Sequence, residues 1–298
     1  MTRKEFLGGA GATLAAAAFG AGDGKDVLDT WQAETDLVRP ETYRRYLKDG
    51  DTRSFVSLEK LEAGFQKVMA EAKACRVTDV PAVWHVYNMG YVVKTPNALF
   101  SIDLNHRLDC ELAPSLDFAL ITHNHNDHYR NPFYKAMDGA GKTVISNFKD
   151  NYGAADWRKG GKYWEAGGYT RAEKTFKLKD VEIRTALTDH NPYLVDFTTT
   201  FEIRVGKWRF FHTGDCGNAA KLSTAWGKPD LWLVFPGCGI DIAAAYRRIK
   251  PKRMAFGHLW ELGHETGRLT TPMVKAARAK VEALGGKVDV PLWGERVV

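Results

Sequence analysis

The seven residues Thr122-His123-Asn124-His125-Asn126-Asp127-His128 decide how this chain is interpreted. They follow an apolar run at positions 116–121, which predicts a buried strand ending at a turn. In an extended segment His123 and His125 point to the same side, because side chains repeat every second residue. Imidazoles and a carboxylate are ligands that a borderline divalent ion such as zinc prefers. The alternative is a polar loop that collects histidines by chance, but this spacing at a strand end favours a metal site.

The composition is that of a globular protein. A chain of 298 residues with 44% hydrophobic and 26% charged residues is long enough for one large domain or two small ones. The net charge of +6 is spread without long runs, which indicates a solvated, mildly basic surface, with an anionic substrate as the weaker alternative. No Cys-x-x-Cys spacing occurs, so neither a disulfide framework nor a thiolate zinc site is predicted from the four cysteines Cys75, Cys110, Cys216 and Cys238.

Residues 1–21 have the pattern of an export signal: a basic start, a mildly apolar Gly/Ala-rich middle and small residues near the end. The segment resembles a twin-arginine signal, with Lys4 at the place of the second arginine. This predicts an exported, periplasmic protein; the alternative is an N-terminal arm on a cytoplasmic one. The segment is too short and glycine-rich to predict a membrane span.

The rest of the chain divides into a helical N-terminal extension at 22–80 and one domain at 81–298. In the extension, an apolar stripe predicts a core-facing helix capped by Ser57 and running to about Cys75. From residue 82 the pattern changes to short strands separated by turn signals, beginning with an antiparallel meander. A long loop at 147–172 contains Trp157 and Trp164, which are candidate pocket walls. Further strands are predicted at 142–146, 181–187, 198–205, 207–212, 230–235, 252–257 and 288–290, and helices at 131–137, 240–249 and 271–284.

The His-x-His-x-Asp-His string resembles the metal-binding signature of the metallo-β-lactamase superfamily. That resemblance implies further ligands at the ends of later strands, and three such strands end in His190, Asp215 and His258. The matched positions extend over about residues 82–260. The implied fold is α/β, a four-layer αβ/βα sandwich of two mixed β-sheets flanked by helices.

The resemblance also implies a role for each residue. His123, His125 and His190 would bind one metal ion, Asp127, His128 and His258 would bind the other, and Asp215 would bridge them. At the position of Asp103 the superfamily has an aspartate that contacts a metal-bound histidine without binding the metal itself. The alternative is that Asp103 is a turn residue at the end of a strand. His264 is the alternative last ligand, or a substrate-binding or surface residue. Structural roles are expected for the remaining histidines His85, His106 and His212.

Two divalent ions, zinc being favoured with manganese or iron left open, would share a hydroxide that attacks an ester, lactone or phosphoester-type bond while Asp127 orients it. The short late Gly-His-Leu-Trp segment is most similar to the ascorbate-6-phosphate lactonase-like branch of these hydrolases. Alternatives are a phosphodiesterase or nuclease, a β-lactamase, or a metal-binding protein without catalysis. A small-molecule substrate is expected, and an anionic one would suit the basic surface. Binding to nucleic acid or to a membrane is not expected. The oligomeric state stays open.

Overall fold

The computed structural model describes residues 26–148, 174–264 and 268–298. The predicted signal at 1–21 and the two loop tryptophans, Trp157 and Trp164, lie outside these residues. Three helices begin the described chain: α1 (Val27–Asp36), α2 (Pro40–Asp49) and α3 (Val56–Ala74). The carboxylate of Asp26 caps α1 by accepting from the N–H of Leu28, and Pro40 begins α2 where its missing N–H has no role. Gly50 ends α2 in the left-handed conformation that favours glycine.

The cap predicted at Ser57 is wrong. Helix α3 begins two residues earlier than a cap at Ser57 implies: its first residue is Val56, and Phe55 is at the N-cap position with no side-chain capping bond. The hydroxyl of the buried Ser57 instead donates to the carbonyl oxygen of Glu34 at 3.2 Å, because α1 packs against this end of α3. The Ser57 hydroxyl, predicted to cap its own helix, thus makes a tertiary hydrogen bond that joins α3 to α1.

The first sheet has five strands in sequence order. The predicted meander is confirmed: β1 (Ala82–His85), β2 (Tyr91–Lys94) and β3 (Leu99–Ile102) are antiparallel neighbours. The next strands, β4 (Phe118–Leu120) and β5 (Thr143–Ile145), are parallel to β3. Between β3 and β4 lie the short helix α4 (Asp109–Leu112) and a 3-10 turn, and α5 (Asn131–Gly139) connects β4 to β5. The strands of this sheet are almost entirely buried.

The second sheet has seven strands in the order β12-β11-β10-β9-β8-β7-β6. Its antiparallel part is β6 (Lys174–Leu178), β7 (Val181–Thr188), β8 (Thr198–Val205) and β9 (Trp208–His212). Its parallel part continues from β9 through β10 (Leu231–Val234) and β11 (Met254–Phe256) to β12 (Val288–Asp289). Helices α6 (Ile242–Ile249) and α7 (Thr271–Glu282) connect these parallel strands.

The two sheets meet face to face. The ring of Phe100 in β3 stacks on Phe210 in β9, with 6.4 Å between ring centroids, and Tyr91 lies edge-on to His212. Helices α3 and α5 pack on the first sheet and α7 packs on the second, so two mixed sheets flanked by helices are present as predicted.

The N-terminal helices share the core of the sheets. Trp31 of α1 lies 5.5 Å from the ring of Trp260 and 4.9 Å, edge-on, from that of Trp293. Gly64 of α3 lies against the backbone of Trp293, where a Cβ would be 3.0 Å from the carbonyl oxygen. None of the helices at the described positions is long and apolar enough to cross a membrane.

Candidate metal centre

The predicted ligands follow the carboxyl ends of strands in both sheets. The loop of His123 to His128 follows β4, His190 follows β7, Asp215 follows β9 and His258 follows β11. Parallel strands end at one edge of a sheet, and the two sheets face each other, so these loops meet at one place. Rigid strand ends hold such side chains more precisely than a free loop would.

Three histidines form the first group. The Nε2 of His123 lies 3.1 Å from the Nδ1 of His125, and the ring of His190 lies 4.7 Å from that of His125, centroid to centroid. One ring nitrogen from each of the three lies within 4.8 Å of the others. This spacing places three imidazole donors around one point.

A second group of four lies beside it, formed by Asp127, His128, Asp215 and His258, all buried. The Nε2 of His258 lies 2.8 Å from Oδ2 of Asp127. The Nε2 of His128 lies 3.4 Å from the same oxygen and 3.2 Å from Oδ1 of Asp215. The structure therefore brings together all seven residues that the resemblance implies as ligands, and Asp215 lies in the second group.

Three atoms in the second group are buried without a hydrogen bond: Oδ1 of Asp127, Nε2 of His128 and Oδ1 of Asp215. A buried polar atom without a partner costs about 1–3 kcal/mol, more when the group is charged. The seven residues of the two groups offer two carboxylates and five imidazoles, which are donors that zinc and similar divalent ions bind. The residues thus fit a metal site, because an ion would satisfy the atoms that the protein leaves unpaired.

The cluster divides electrostatically into two kinds of histidine. Burial lowers the pKa of His123 well below its usual value and that of His125 to about 4, so both are neutral and ready to bind a metal ion. Burial is the largest influence on His128 and His258 and opposes their charge, but the neighbouring carboxylates, Asp215 and Asp127 for both and Asp103 for His128, together outweigh it. They raise the pKa of His258 to about 10 and that of His128 well above its usual value. Without metal, these two are protonated and pair with the carboxylates, whose own pKa values lie well below the usual range.

Asp103 lies directly behind this cluster. Its fully buried carboxylate accepts from the N–H and the hydroxyl of Thr122, each at 2.7 Å, and from Nδ1 of His128 at 2.9 Å. Because the Thr122 hydroxyl donates to Asp103, it accepts from Nδ1 of His123 at 3.0 Å. One carboxylate thereby fixes the tautomers of two histidines, leaving both Nε2 atoms facing the cluster.

Solved structures resemble this arrangement of strands. Igni18, a novel metallo hydrolase from the archaeon Ignicoccus hospitalis, is 20% identical, with a TM-score of 0.54 over 73% of this chain and 97% of that one. The metallo-beta-lactamase fold protein YhfI from Bacillus subtilis is 14% identical, with a TM-score of 0.51 over 74% of this chain and 99% of that one. This chain has the metallo-β-lactamase fold.

A third neighbour has a different chemistry. CmlA, a diiron β-hydroxylase from Streptomyces venezuelae, is 13% identical with a TM-score of 0.53, over 74% of this chain and 54% of that one. No protein-family model matches the chain, and no curated protein does. At these identities the likeness concerns the metallo-β-lactamase fold alone.

The choice between His258 and His264 follows from the position of each side chain. His258 has a positive φ of 60°, its N–H donates to the carbonyl oxygen of Asn88 at 2.8 Å, and its ring stacks on Phe235 at 4.2 Å. This places it inside the cluster. His264 lies outside both groups: it is about half-exposed and pairs with the buried carboxylate of Glu261 at 3.0 Å, which raises its pKa.

The other three histidines are tied to the protein backbone. Nε2 of His85 lies 2.9 Å from the carbonyl oxygen of Asn88, and Nε2 of His212 lies 3.0 Å from that of Met89. His106 accepts from the N–H of Leu108 at Nδ1, 3.1 Å away. None of the three lies in a metal-ligand group among the described residues, as predicted.

The sequence prediction missed Cys238. It follows β10 in a Pro-Gly-Cys-Gly turn, and its Sγ, together with His190 and Asp215, forms a third group of closely spaced donor atoms. Burial and Asp215 raise the pKa of its thiol when no metal is bound. The signal that could have found it is its position in a turn after a strand, which it shares with the residues of the other two groups. Cys216, which directly follows Asp215, donates to the Asn218 carbonyl instead.

Proposed function

We propose that this protein is a metal-dependent hydrolase with a binuclear centre. The position of Asp215 carries the proposal. Its Oδ2 lies 3.5 Å from Nε2 of His190 in the first group and 3.4 Å from Nε2 of His258 in the second. A buried carboxylate in contact with both groups is the bridge that two adjacent ions need.

In this proposal His123, His125 and His190 hold one ion and Asp127, His128 and His258 the other, with Asp215 shared. When bound, the ions would supply a nucleophile at neutral pH and polarise the oxygen of the scissile group. Oδ1 of Asp127, which has no hydrogen bond, would orient the nucleophile, while Oδ2 lies 2.8 Å from Nε2 of His258. Asp103 would hold the tautomers of His123 and His128 through its hydrogen bonds to Thr122 and His128.

Zinc is the proposed metal, because imidazole and carboxylate donors suit it and His125 stands where a di-iron branch of the superfamily carries a glutamate. The diiron centre of the neighbour CmlA keeps iron open as the alternative. Metal identity is therefore measured first, before any substrate.

A small ester, lactone or phosphoester is the proposed substrate class, with the lactonase-like branch as its most specific form. An apolar rim supports a small organic molecule: the ring of Phe197 lies 5.0 Å from that of His125, and Tyr193 and Val195 on the same loop are 93% and 50% exposed. The half-exposed His264, paired with Glu261, is a donor placed to bind an anionic or carbonyl oxygen of the substrate.

Elemental analysis of protein purified without added metal or chelator tests the metal centre. We expect two equivalents per chain, falling to about one in Asp127→Asn. Lactones, phosphodiesters and β-lactams are then screened, and hydrolysis in Asp127→Asn should fall by roughly 10²–10⁴-fold, the contribution of a positioned acid–base group.

The matched control is Asp117→Asn. Asp117 directly precedes β4, whereas Asp127 lies in the loop that follows it, and the Asp117 carboxylate accepts from the N–H of Leu99 at 2.8 Å. This variant should retain both metal and turnover. Unchanged hydrolysis in Asp127→Asn would overturn the two-ion mechanism. A folded protein that takes up no metal on titration would favour a binding protein without catalysis.

A further inference from the structure

Cys238 lies in a turn whose backbone is held in place. The turn follows β10, and Cys238 and Gly239 both have positive φ, 53° and 81°. Gly217 lies against it: a Cβ there would be 2.7 Å from the carbonyl oxygen of Cys238 and 2.3 Å from that of His190. Only glycine permits this approach, so the backbones that carry the thiol and His190 are fixed close together.

The thiol faces the metal centre. Its Sγ lies 3.8 Å from Oδ2 of Asp215, and 3.9 and 4.0 Å from the two ring nitrogens of His190. With zinc–sulfur and zinc–nitrogen bonds of about 2.3 and 2.0–2.1 Å, two donors on one tetrahedral ion lie about 3.5 Å apart. The observed separations are slightly longer, as expected for donors that an ion would draw together.

A second observation points to an ion at this place. Asp215 is buried, and its Oδ1, which lies 3.2 Å from Nε2 of His128, has no hydrogen bond. Its Oδ2 faces Cys238, His190 and His258. Oδ2 of Asp215 thus lies close to the thiol and to Nε2 of His190, at 3.8 and 3.5 Å. The three donors form one of the groups whose ligand atoms lie close enough together to hold a single ion.

We propose that Cys238 is a thiolate ligand to the ion shared by His190 and Asp215. This rests on the proposed binuclear centre and concerns which metal it selects. The thiol gives its proton to solvent when the ion binds, and the sulfur donates its electron pair to the metal. A sulfur donor favours zinc over manganese, because soft ligands suit softer ions while manganese prefers oxygen.

Cys216 provides the matched comparison. It lies in the neighbouring loop, but its Sγ lies 3.2 Å from the hydroxyl of Thr188 and it donates to the carbonyl oxygen of Asn218. It belongs to none of the metal-ligand groups at the described positions. A serine there changes one thiol near the site without changing a ligand.

To test this, the full chain is loaded with Co²⁺ in the presence of a reductant that contains no thiol, and its near-ultraviolet absorption is recorded. Wild type and Cys216→Ser should show a sulfur-to-cobalt charge-transfer band, and Cys238→Ser should not. The affinity of Cys238→Ser for the ion should fall by about tenfold or more, since the loss of a residue that merely hydrogen-bonds to a metal ligand already lowers metal affinity by about 10–100-fold. X-ray absorption of wild-type zinc protein should show a sulfur scatterer at about 2.3 Å.

The outcomes separate this inference from the proposed function. Two bound Co²⁺ ions without a charge-transfer band, or zinc without a sulfur neighbour, would overturn the thiolate ligand and leave the hydrolase proposal standing. A band that survives in Cys238→Ser would also overturn it. Failure to bind any metal would overturn both. The wild-type absorption measurement decides the matter even where Cys238→Ser does not fold.

Discussion

At the residue scale, Asp103 is the side chain on which the histidine tautomers depend. Asparagine suits its backbone, because φ is +45° and asparagine tolerates that region. It would, however, present an amide N–H₂ where the carboxylate now accepts from the Thr122 hydroxyl and His128. His128 would then carry its proton on Nε2, the atom that faces the cluster. We expect metal affinity to fall by about 10–100-fold in Asp103→Asn, measured by competition with a chromophoric chelator.

The control for this change is Asp109→Asn. Asp109 is equally buried and its carboxylate lies 3.2 Å from the guanidinium of Arg130, away from the metal cluster. Its replacement should lower thermal stability and leave metal affinity unchanged. If the two variants lose metal equally, Asp103 acts through general stability and not through His128.

How well individual residues were predicted depended on their chemistry. The spacing of His123, His125, Asp127 and His128 after a strand predicts a metal site, and the family resemblance implied His190, Asp215 and His258. Asp103 was left open between a supporting aspartate and a turn residue. Cys238 was missed because a single cysteine between two glycines is typical of any tight turn. Sequence spacing gave no preference between His258 and His264 beyond the strand end; the stacking on Phe235 that separates them is tertiary.

At the element scale, the loop between β7 and β8 is clamped where it carries His190. Lys221 lies 2.7 Å from Oδ1 of Asp196 and also pairs with Asp189, so one ammonium joins both ends of the loop. The N–H of Asp196 donates to Asp189 at 2.9 Å, which closes the same loop. In Lys221→Met we expect the loss of about 1 kcal/mol of local stability, and roughly fivefold faster hydrogen exchange at residues 190–196.

Lys252→Met is the matched control. Lys252 pairs with Asp230 at 2.6 Å, before the parallel strands and at the end of the sheet away from the metal ligands. Exchange in the loop should be unchanged in this variant. Equal acceleration in both variants would mean that the loop is not held by Lys221 in particular.

Elements were predictable where the pattern was long and missed where it was short. Strand β8 has the predicted bounds, 198–205, because its residues lie between clear turn signals. Helix α4 covers only four residues, too few for any periodicity to appear. Strand β6 was missed as well: its residues are half-exposed or exposed, and among the described residues it pairs along one edge, with β7.

At the scale of the whole molecule, a hydrogen-bonded chain joins the N-terminal helices to the first sheet. The neutral His106 accepts from Leu108 at Nδ1, so Nε2 carries the proton and donates to the hydroxyl of Tyr46 in α2 at 2.8 Å. That hydroxyl donates to Glu62 in α3, also at 2.8 Å. These contacts cross the boundary predicted between the extension and the domain, and sequence patterns do not reveal them because the partners lie 16 to 60 residues apart.

This chain makes stability depend on pH. Burial, aided by Arg107 and Arg130, lowers the pKa of His106 to about 3 from an ordinary 6.5. Between these values the unfolded chain binds a proton at His106 and the folded protein does not, so the stabilisation is complete above pH 6.5 and is lost as the pH falls towards 3. One such group contributes a slope of about 1.4 kcal/mol per pH unit.

We therefore expect His106→Asn to be less stable at neutral pH but less sensitive to acid. The asparagine oxygen can accept from Leu108 in place of Nδ1, but it cannot be protonated in this range. Urea unfolding of metal-free protein from pH 7 to 4 should show a slope shallower than that of wild type by about 1.4 kcal/mol per pH unit. Because the cluster histidines titrate in both proteins, their contribution cancels in the difference. Parallel curves would mean that His106 titrates normally, and that the acid sensitivity of the fold arises at the metal centre.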